Sequence, residues 1–362
     1  MQIINKLSKL QKVYIFFISF ALFIIIFSTT YSNANTFKVS NIEISSPFVV
    51  NFNKNRVIDV GFKASFLNLL SMITISSDSN KIKNIQIKEL KSMIDSFTVS
   101  NERFINNEYF AKLETSFNKK KVLDFLERKN VFPSMPIKNK VLLVPILVDT
   151  EINNIYLFNE NIFYKNWNNE TKNYQLLDYL LPSEDLEDLS LIQKKINSIE
   201  KYDFSNLIKK YDLKDYIISI IYKDRSEIKI LSKINLNNSL IINNQKYSNI
   251  NLDNEKDFKK ILENLKITYE DYWKKHNEIN TSIKLPIKVS VNSKKYKKII
   301  KLEKTFNNMD LISDFYILKF NSNIIQYRII YNGSPKTFFN TMSKKNFDLI
   351  MKDNIWTIKW KV

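Results

Sequence analysis

The chain has 362 residues, 44% of them hydrophobic, and 55 Lys and Arg against 37 Asp and Glu, for a formal charge of +18. It contains no cysteine, which excludes a disulfide framework, thiolate chemistry, a cysteine-ligated metal and a lipid-modified N-terminal cysteine. Its two glycines, Gly61 and Gly333, are too few and too far apart for a dinucleotide fingerprint or a phosphate-binding loop, because both need backbone to approach phosphate at closely spaced glycines.

The N-terminus reads as an export signal. Lys6, Lys9 and Lys12 precede an apolar run over 13–27, and small residues follow at Ser32 and Ala34. That order is the secretory pattern, and an apolar run of about 15 residues is short for a membrane span. The expectation is a signal peptide over 1–34 and a protein that works in the periplasm. Residues 28–31 could lengthen the span, so an uncleaved inner-membrane anchor is the alternative.

Charge then divides the rest into three. Residues 35–139 carry about +6, residues 140–280 about −2, and residues 281–362 about +11. In the first region (35–133) a strand opens at Phe37. A helix follows over 54–73, with Val57, Val60, Ala64, Leu67, Leu70 and Met72 near helical spacing. A second helix is expected over 87–97, then a hairpin of strands 97–104 and 109–117, then a helix from 119 capped by Asn118 with Val122, Phe125 and Leu126 inward. Pro133 and Pro136 mark the boundary.

The second region (138–280) opens with the apolar run 141–148, which fits a strand covered on both faces. Expected next are a helix over 161–169 carrying Trp167, an apolar run 176–181, and a helix starting at Ser183. A helix over 203–211, a buried strand over 215–222 and two alternating strands follow. A long helix over 254–276 has Phe258, Ile261, Leu262, Leu265, Tyr269 and Trp273 on one stripe. In the third region (281–362) the order is strand, helix from Ser293 to Phe306, two hairpin strands, helix, and final strands ending in Trp356 and Trp360. The fold class is therefore α+β or α/β in three small domains. The last has ferredoxin-like βαββαβ order, and the middle one is a layered α/β domain.

Candidate chemistry is sparse. His276 is the single histidine and sits at a helix C-terminus, where a cation favours the helix dipole. Glu184, Asp185, Glu187 and Asp188 could bind a cation or do acid–base work, as in a carboxylate-dependent hydrolase. They also fit a helix start, which attracts acidic residues. The helix 293–306 carries Lys294, Lys295, Lys297, Lys298, Lys301 and Lys304, with Tyr296, Ile299, Ile300 and Phe306 lining one side. Read as function, this is a basic ridge for an acidic partner or phospholipid headgroups; read as structure, it is a solvated helix surface. Trp356 and Trp360, four apart on one strand face, read as core packing, with an exposed aromatic binding strip as the alternative.

Several pieces occur in an order that resembles a known family. They are Ser100-Asn101-Glu102-Arg103-Phe104, Tyr109-Phe110-Ala111-Lys112-Leu113, the helix with Val122, Leu123 and Leu126, Val141-Leu142-Leu143-Val144-Pro145, Trp167, Leu181-Pro182 and Asp185-Leu186-Glu187-Asp188. Together they span about residues 37–235, and the chain resembles the proteobacterial envelope family known as domain of unknown function 2066. The resemblance implies an exported protein and carries no catalytic residues. It departs from the family's alanine- and arginine-rich first helix by using Lys, Asn and Ile. With Val144-Pro145 in its first strand and Tyr211-Asp212-Leu213-Lys214-Asp215-Tyr216 leading into a later strand, the middle region is also similar to the N-terminal α/β domain of TolB-like periplasmic proteins.

The functional expectation is an exported cell-envelope protein that binds a periplasmic protein or a cell-wall component without catalysis and without a cofactor. The candidate contact residues are the six ridge lysines with Trp167 and Asp185. The alternatives are a hydrolase built on the carboxylates near 184–188, and docking to an anionic membrane surface through the lysine-rich helix. Nucleic acid is a poor fit, because export removes the usual target and aromatics are not interleaved with the charges as stacking needs.

Overall fold

The computed structural model describes residues 36–360, apart from 170, 171, 173, 281, 282, 310, 353 and 354. The expected signal over 1–34 lies outside the described residues. The protein is a mixed α+β molecule with three sheets.

The first sheet, in order β1-β3-β2, is antiparallel and built from β1 (Thr36–Pro47), β2 (Ile94–Ile105) and β3 (Glu108–Asn118). Helix α1 (Lys54–Ile73) starts at Asn53, whose side chain accepts from the amides of Asn55 and Arg56. The buried stripe of α1 is Val57, Phe62, Phe66, Leu69, Leu70 and Ile73, whereas Val60 and Leu67 are exposed. The expected stripe was thus rotated off the true one. The apolar residues of this helix satisfy two overlapping helical spacings, and the one carrying the phenylalanines wins because it buries more area. Gly61 lets α1 touch the sheet: a Cβ there would lie 2.8 Å from Leu113 Cδ2 and 2.9 Å from Ile44 Cγ2. Two short helices, α2 (Ser79–Ile82) and α3 (Ile87–Ser92), follow; α3 ends earlier than expected, because β2 already begins at Ile94. Helix α4 (Lys119–Arg128) is capped by Asn118, and its Val122, Phe125 and Leu126 are buried.

The second sheet has six strands. β4 (Asn139–Asp149) lies parallel to β6 (Leu177–Leu180) along one half and antiparallel to β5 (Asn154–Tyr156) along the other. On its far side it pairs in parallel with β7 (Tyr216–Asp224), followed antiparallel by β8 (Glu227–Leu236) and β9 (Ser239–Ser248). Alternate β4 residues enter two separate cores. Val141, Leu143 and Leu147 meet α5 (Ile162–Asn166) and α8 (Glu255–His276). Leu142, Val144, Ile146 and Val148 meet the layer holding α6 (Leu186–Gln193) and α7 (Ser205–Lys209). This explains an unbroken apolar strand: both of its faces are covered. The N-cap of α6 is Asp185 rather than Ser183.

The proline link between these regions is tied on both sides. The Ser134 amide donates to Ile73 O (2.6 Å), the Ile279 amide to Pro133 O (2.7 Å), and Trp273 Nε1 to Ile137 O (2.7 Å).

The third sheet runs β11-β12-β10-β14-β13, from β10 (Leu285–Asn292), β11 (Ile312–Phe320), β12 (Ile324–Tyr331), β13 (Phe347–Lys352) and β14 (Ile355–Trp360). The chain runs strand, helix, strand, strand, helix, strand through β13. It then turns back, and β14 inserts between β13 and β10, parallel to β10. Helices α9 (Tyr296–Asn307) and α10 (Pro335–Lys344) share one core with the sheet, through Leu302, Phe306, Phe338 and Met342.

Candidate functional site

Two of the contact residues expected from sequence turn out to be structural. Trp167 is wholly buried, stacked on Tyr269 (6.0 Å) and edge-on to Tyr179 (5.4 Å), so it fills the core and cannot meet a partner. The sequence placed it on a helix over 161–169; that helix ends at Asn166, and Trp167 follows it into the core. Asp185 caps α6 by accepting from the amides of Glu187 and Asp188. Its other oxygen takes the Lys210 ammonium at 2.8 Å, and the same ammonium meets Asp188 at 2.7 Å. These hydrogen bonds, the Lys210 one foremost, hold the Asp185 carboxyl below its ordinary range. The acidic cluster therefore starts a helix, and Asp185 and Asp188 pin the end of α7 to it through Lys210. His276 is exposed at the end of α8, its ring stacked on Trp273. Trp356 and Trp360 are half-buried against the third core, with Trp356 4.1 Å from Phe339.

Two features had no sequence signal. A cleft of about 640 Å³ runs beside α8, with Phe258 and Leu262 in its wall. Its rim charges neutralise each other in the pairs Lys172–Glu263 and Lys259–Glu255, each at 2.8 Å. On the next turns of α8, Glu270 and Lys274 are 3% and 6% exposed. Burial pushes the Glu270 carboxyl up and the Lys274 ammonium down. Glu270 accepts from the amides of Leu176 (3.0 Å) and Leu177 (2.8 Å), which anchors the start of β6 to the helix. These groups come from one helix and a loop about 94 residues away, a juxtaposition only folding creates.

The basic ridge is formed as a surface. Lys294, Lys295, Lys297, Lys298, Lys301 and Lys304 are all exposed. Elsewhere lysines find carboxylates, as in Lys38–Glu114, Lys54–Glu102 and Lys91–Asp59. Among the described residues none of the six ridge lysines forms an ion pair. The inward stripe of α9 is Ile299, Leu302 and Phe306. Tyr296 and Ile300, expected on that stripe, are instead 72% and 48% exposed among the lysines. Ser293 does not cap the helix: Lys295 holds the N-cap position, and Ser293 Oγ donates to Ser322 O (2.7 Å) in the β11–β12 turn.

Fold and site together define an α+β protein of three sheets whose last region bears a cationic helix face without an ion pair among the described residues. A scan against protein-family models finds no match for this chain, and no curated protein matches it at a significant level. Among the described residues no helix is long and apolar enough to cross a membrane.

Proposed function

We propose that the chain is an exported cell-envelope protein that acts by presenting binding surfaces, with the α9 face of its third region as the docking surface for an anionic envelope component. The observation that carries this reading is the set of six exposed lysines, on α9 and the two residues before it, that form no ion pair among the described residues and border two exposed apolar side chains. A merely solvated helix would satisfy its charges with mixed signs at i and i+4, and α9 has one acidic residue, Glu303, which is taken by the Tyr327 hydroxyl at 2.6 Å. The basic, apolar, small-residue order of the first 34 residues supports export. The order of segments over about 37–235 supports a place among the envelope proteins of domain of unknown function 2066. We read the third region as a ferredoxin-like unit elaborated by one inserted strand. The middle region is read as an α/β layer of the TolB N-terminal type, on its Val-Pro first strand.

The test is a photo-reactive residue at Lys297 or Lys301 of the full chain in living cells, with Ile242 on β9 as the reference position. The expected outcome is envelope adducts from the ridge, to protein, wall polymer or lipid, that disappear when Lys294, Lys295 and Lys304 are replaced by Gln. Ridge positions that give no more adduct than Ile242 would remove the reading.

A further inference from the structure

Resting on that docking surface, we infer that its occupant is an anionic phospholipid bilayer, with the lysines on the headgroups and an apolar strip beside them inserted at shallow depth. The orientation of α9 fixes where that strip lies. Lys298 Nζ sits 5.4 Å over the Trp360 ring, so this flank of the helix faces β14. Glu303 on the opposite flank reaches Tyr327 of β12. At about 100° per residue, Tyr296 and Ile300 fall on the Glu303 side, toward the β11–β12 hairpin. Ser293 ties the start of the helix to the same hairpin through Ser322 O and Asn323 O.

The hairpin supplies the rest of the strip. Ile317 lies opposite Tyr327 and Phe320 opposite Ile325 in the β11–β12 register. Tyr327 and Ile325 belong to the core under the helices, so Ile317 and Phe320 project from the helix side of the sheet, beyond the cover of α9. They are 51% and 69% exposed. Tyr296, Ile300, Ile317 and Phe320 therefore make one apolar border beside the ammonium groups of Lys297, Lys301 and Lys304, which form no ion pair among the described residues.

The chemistry of that border selects a bilayer over an acidic protein. Lysine stems can lie along apolar surface while their heads stay at phosphate level, and tyrosine favours the interface. Anionic headgroups complement a region carrying about +11, and the acyl boundary beneath them takes apolar side chains to a depth that a flat acidic protein surface lacks.

The absence of cysteine allows a single environment-sensitive label to be placed anywhere in the full chain. A local readout is needed, because the apolar run at 13–27 could hold the whole chain on any vesicle. The label goes on Ile300→Cys or Phe320→Cys, with Ile242→Cys, 60% exposed on β9, as reference. On vesicles of equal parts phosphatidylglycerol and phosphatidylcholine, the labels at 300 and 320 should shift to the blue and be quenched by a lipid-borne quencher. Added salt and each of Lys297→Gln, Lys301→Gln and Lys304→Gln should weaken the local equilibrium, by about fivefold per lysine. A label at 300 that remains in water on these vesicles, or shifts equally on phosphatidylcholine alone or at 242, overturns the lipid assignment. If it fails while the lysine-dependent adducts in cells persist, the docking surface stands with a protein or polymer as occupant. If the adducts fail too, both readings fall.

Discussion

Asparagine does in this chain what glycine does elsewhere. Most of the left-handed backbone positions carry Asn, including Asn106 and Asn107 at the β2–β3 turn, Asn237 and Asn238 at the β8–β9 turn, and Asn130 just past α4; neither glycine has positive φ. Asn tolerates that region because its short polar side chain bonds locally, while other L-residues meet a clash between Cβ and carbonyl. Two left-handed residues in succession also match the twist of a two-residue hairpin. Asn238→Ala should cost about 1–2 kcal/mol in urea unfolding, and Asn238→Gly should stay within about 0.5 kcal/mol of the parent. Lys274 makes a pH-dependent case. Its charge lowers the pKa of the buried Glu270 carboxyl, which burial alone lifts above the usual range. A carboxyl with a raised folded-state pKa favours the fold at low pH and loses that contribution as pH climbs through the raised value. Removing Lys274 lifts Glu270 further. Lys274→Met should therefore destabilise by on the order of 2 kcal/mol near about pH 8 and by less near about pH 5, as read from denaturant midpoints across that range.

Among helices, periodicity located the element better than its inward face. The stripe of α8 was legible because six apolar residues, from Phe258 to Trp273, have no rival set on the other side, and all six are buried. In α1 and α9 apolar residues occupy two faces, and the amino-acid string does not state which one the sheet will cover. In α1 the face bearing the phenylalanines is the covered one, and Gly61 on that side allows close contact with Leu113 and Ile44. Gly61→Ala gains about 1 kcal/mol of helix propensity but forces a methyl into buried side chains, so a net loss of about 1–2 kcal/mol is expected in thermal or urea unfolding. In α9 the leftover face, Tyr296 and Ile300, became the surface. The strand β4 shows the opposite case: an apolar run with no alternation already implied two covered faces, and each face has its own core.

Across the protein, charge and architecture divide together. Each sheet draws its strands from one contiguous stretch, and the largest share of the positive charge falls on the stretch that builds the third sheet. The first two regions are stitched by directed contacts, with Asp271 of α8 accepting from both the amide and the hydroxyl of Ser76 and with the proline link bonded to α1 and to the end of α8. Among the described residues the ridge lysines form no ion pairs, and with Lys298 set apart because it lies over the Trp360 ring, the other five contribute nothing comparable to stability. Replacing Lys294, Lys295, Lys297, Lys301 and Lys304 by Gln together should leave the thermal midpoint unchanged or slightly raised, because like-charge repulsion falls. A large drop would mean that the ridge belongs to the fold after all.

Composition and pattern alone settled the kinds of chemistry the chain lacks residues for, the alternation of helices and strands, the hairpin turns and the partition of charge. Those properties are local, or sums over the chain, and can be counted. Folding settled that Trp167 is core, that Asp185 is a cap bound to Lys210, that Glu270 and Lys274 are buried, and that Tyr296, Ile300, Ile317 and Phe320 share a border with the lysines. Each of those depends on which faces meet across long sequence separations. The free energy of burial chooses among faces that look alike in one dimension.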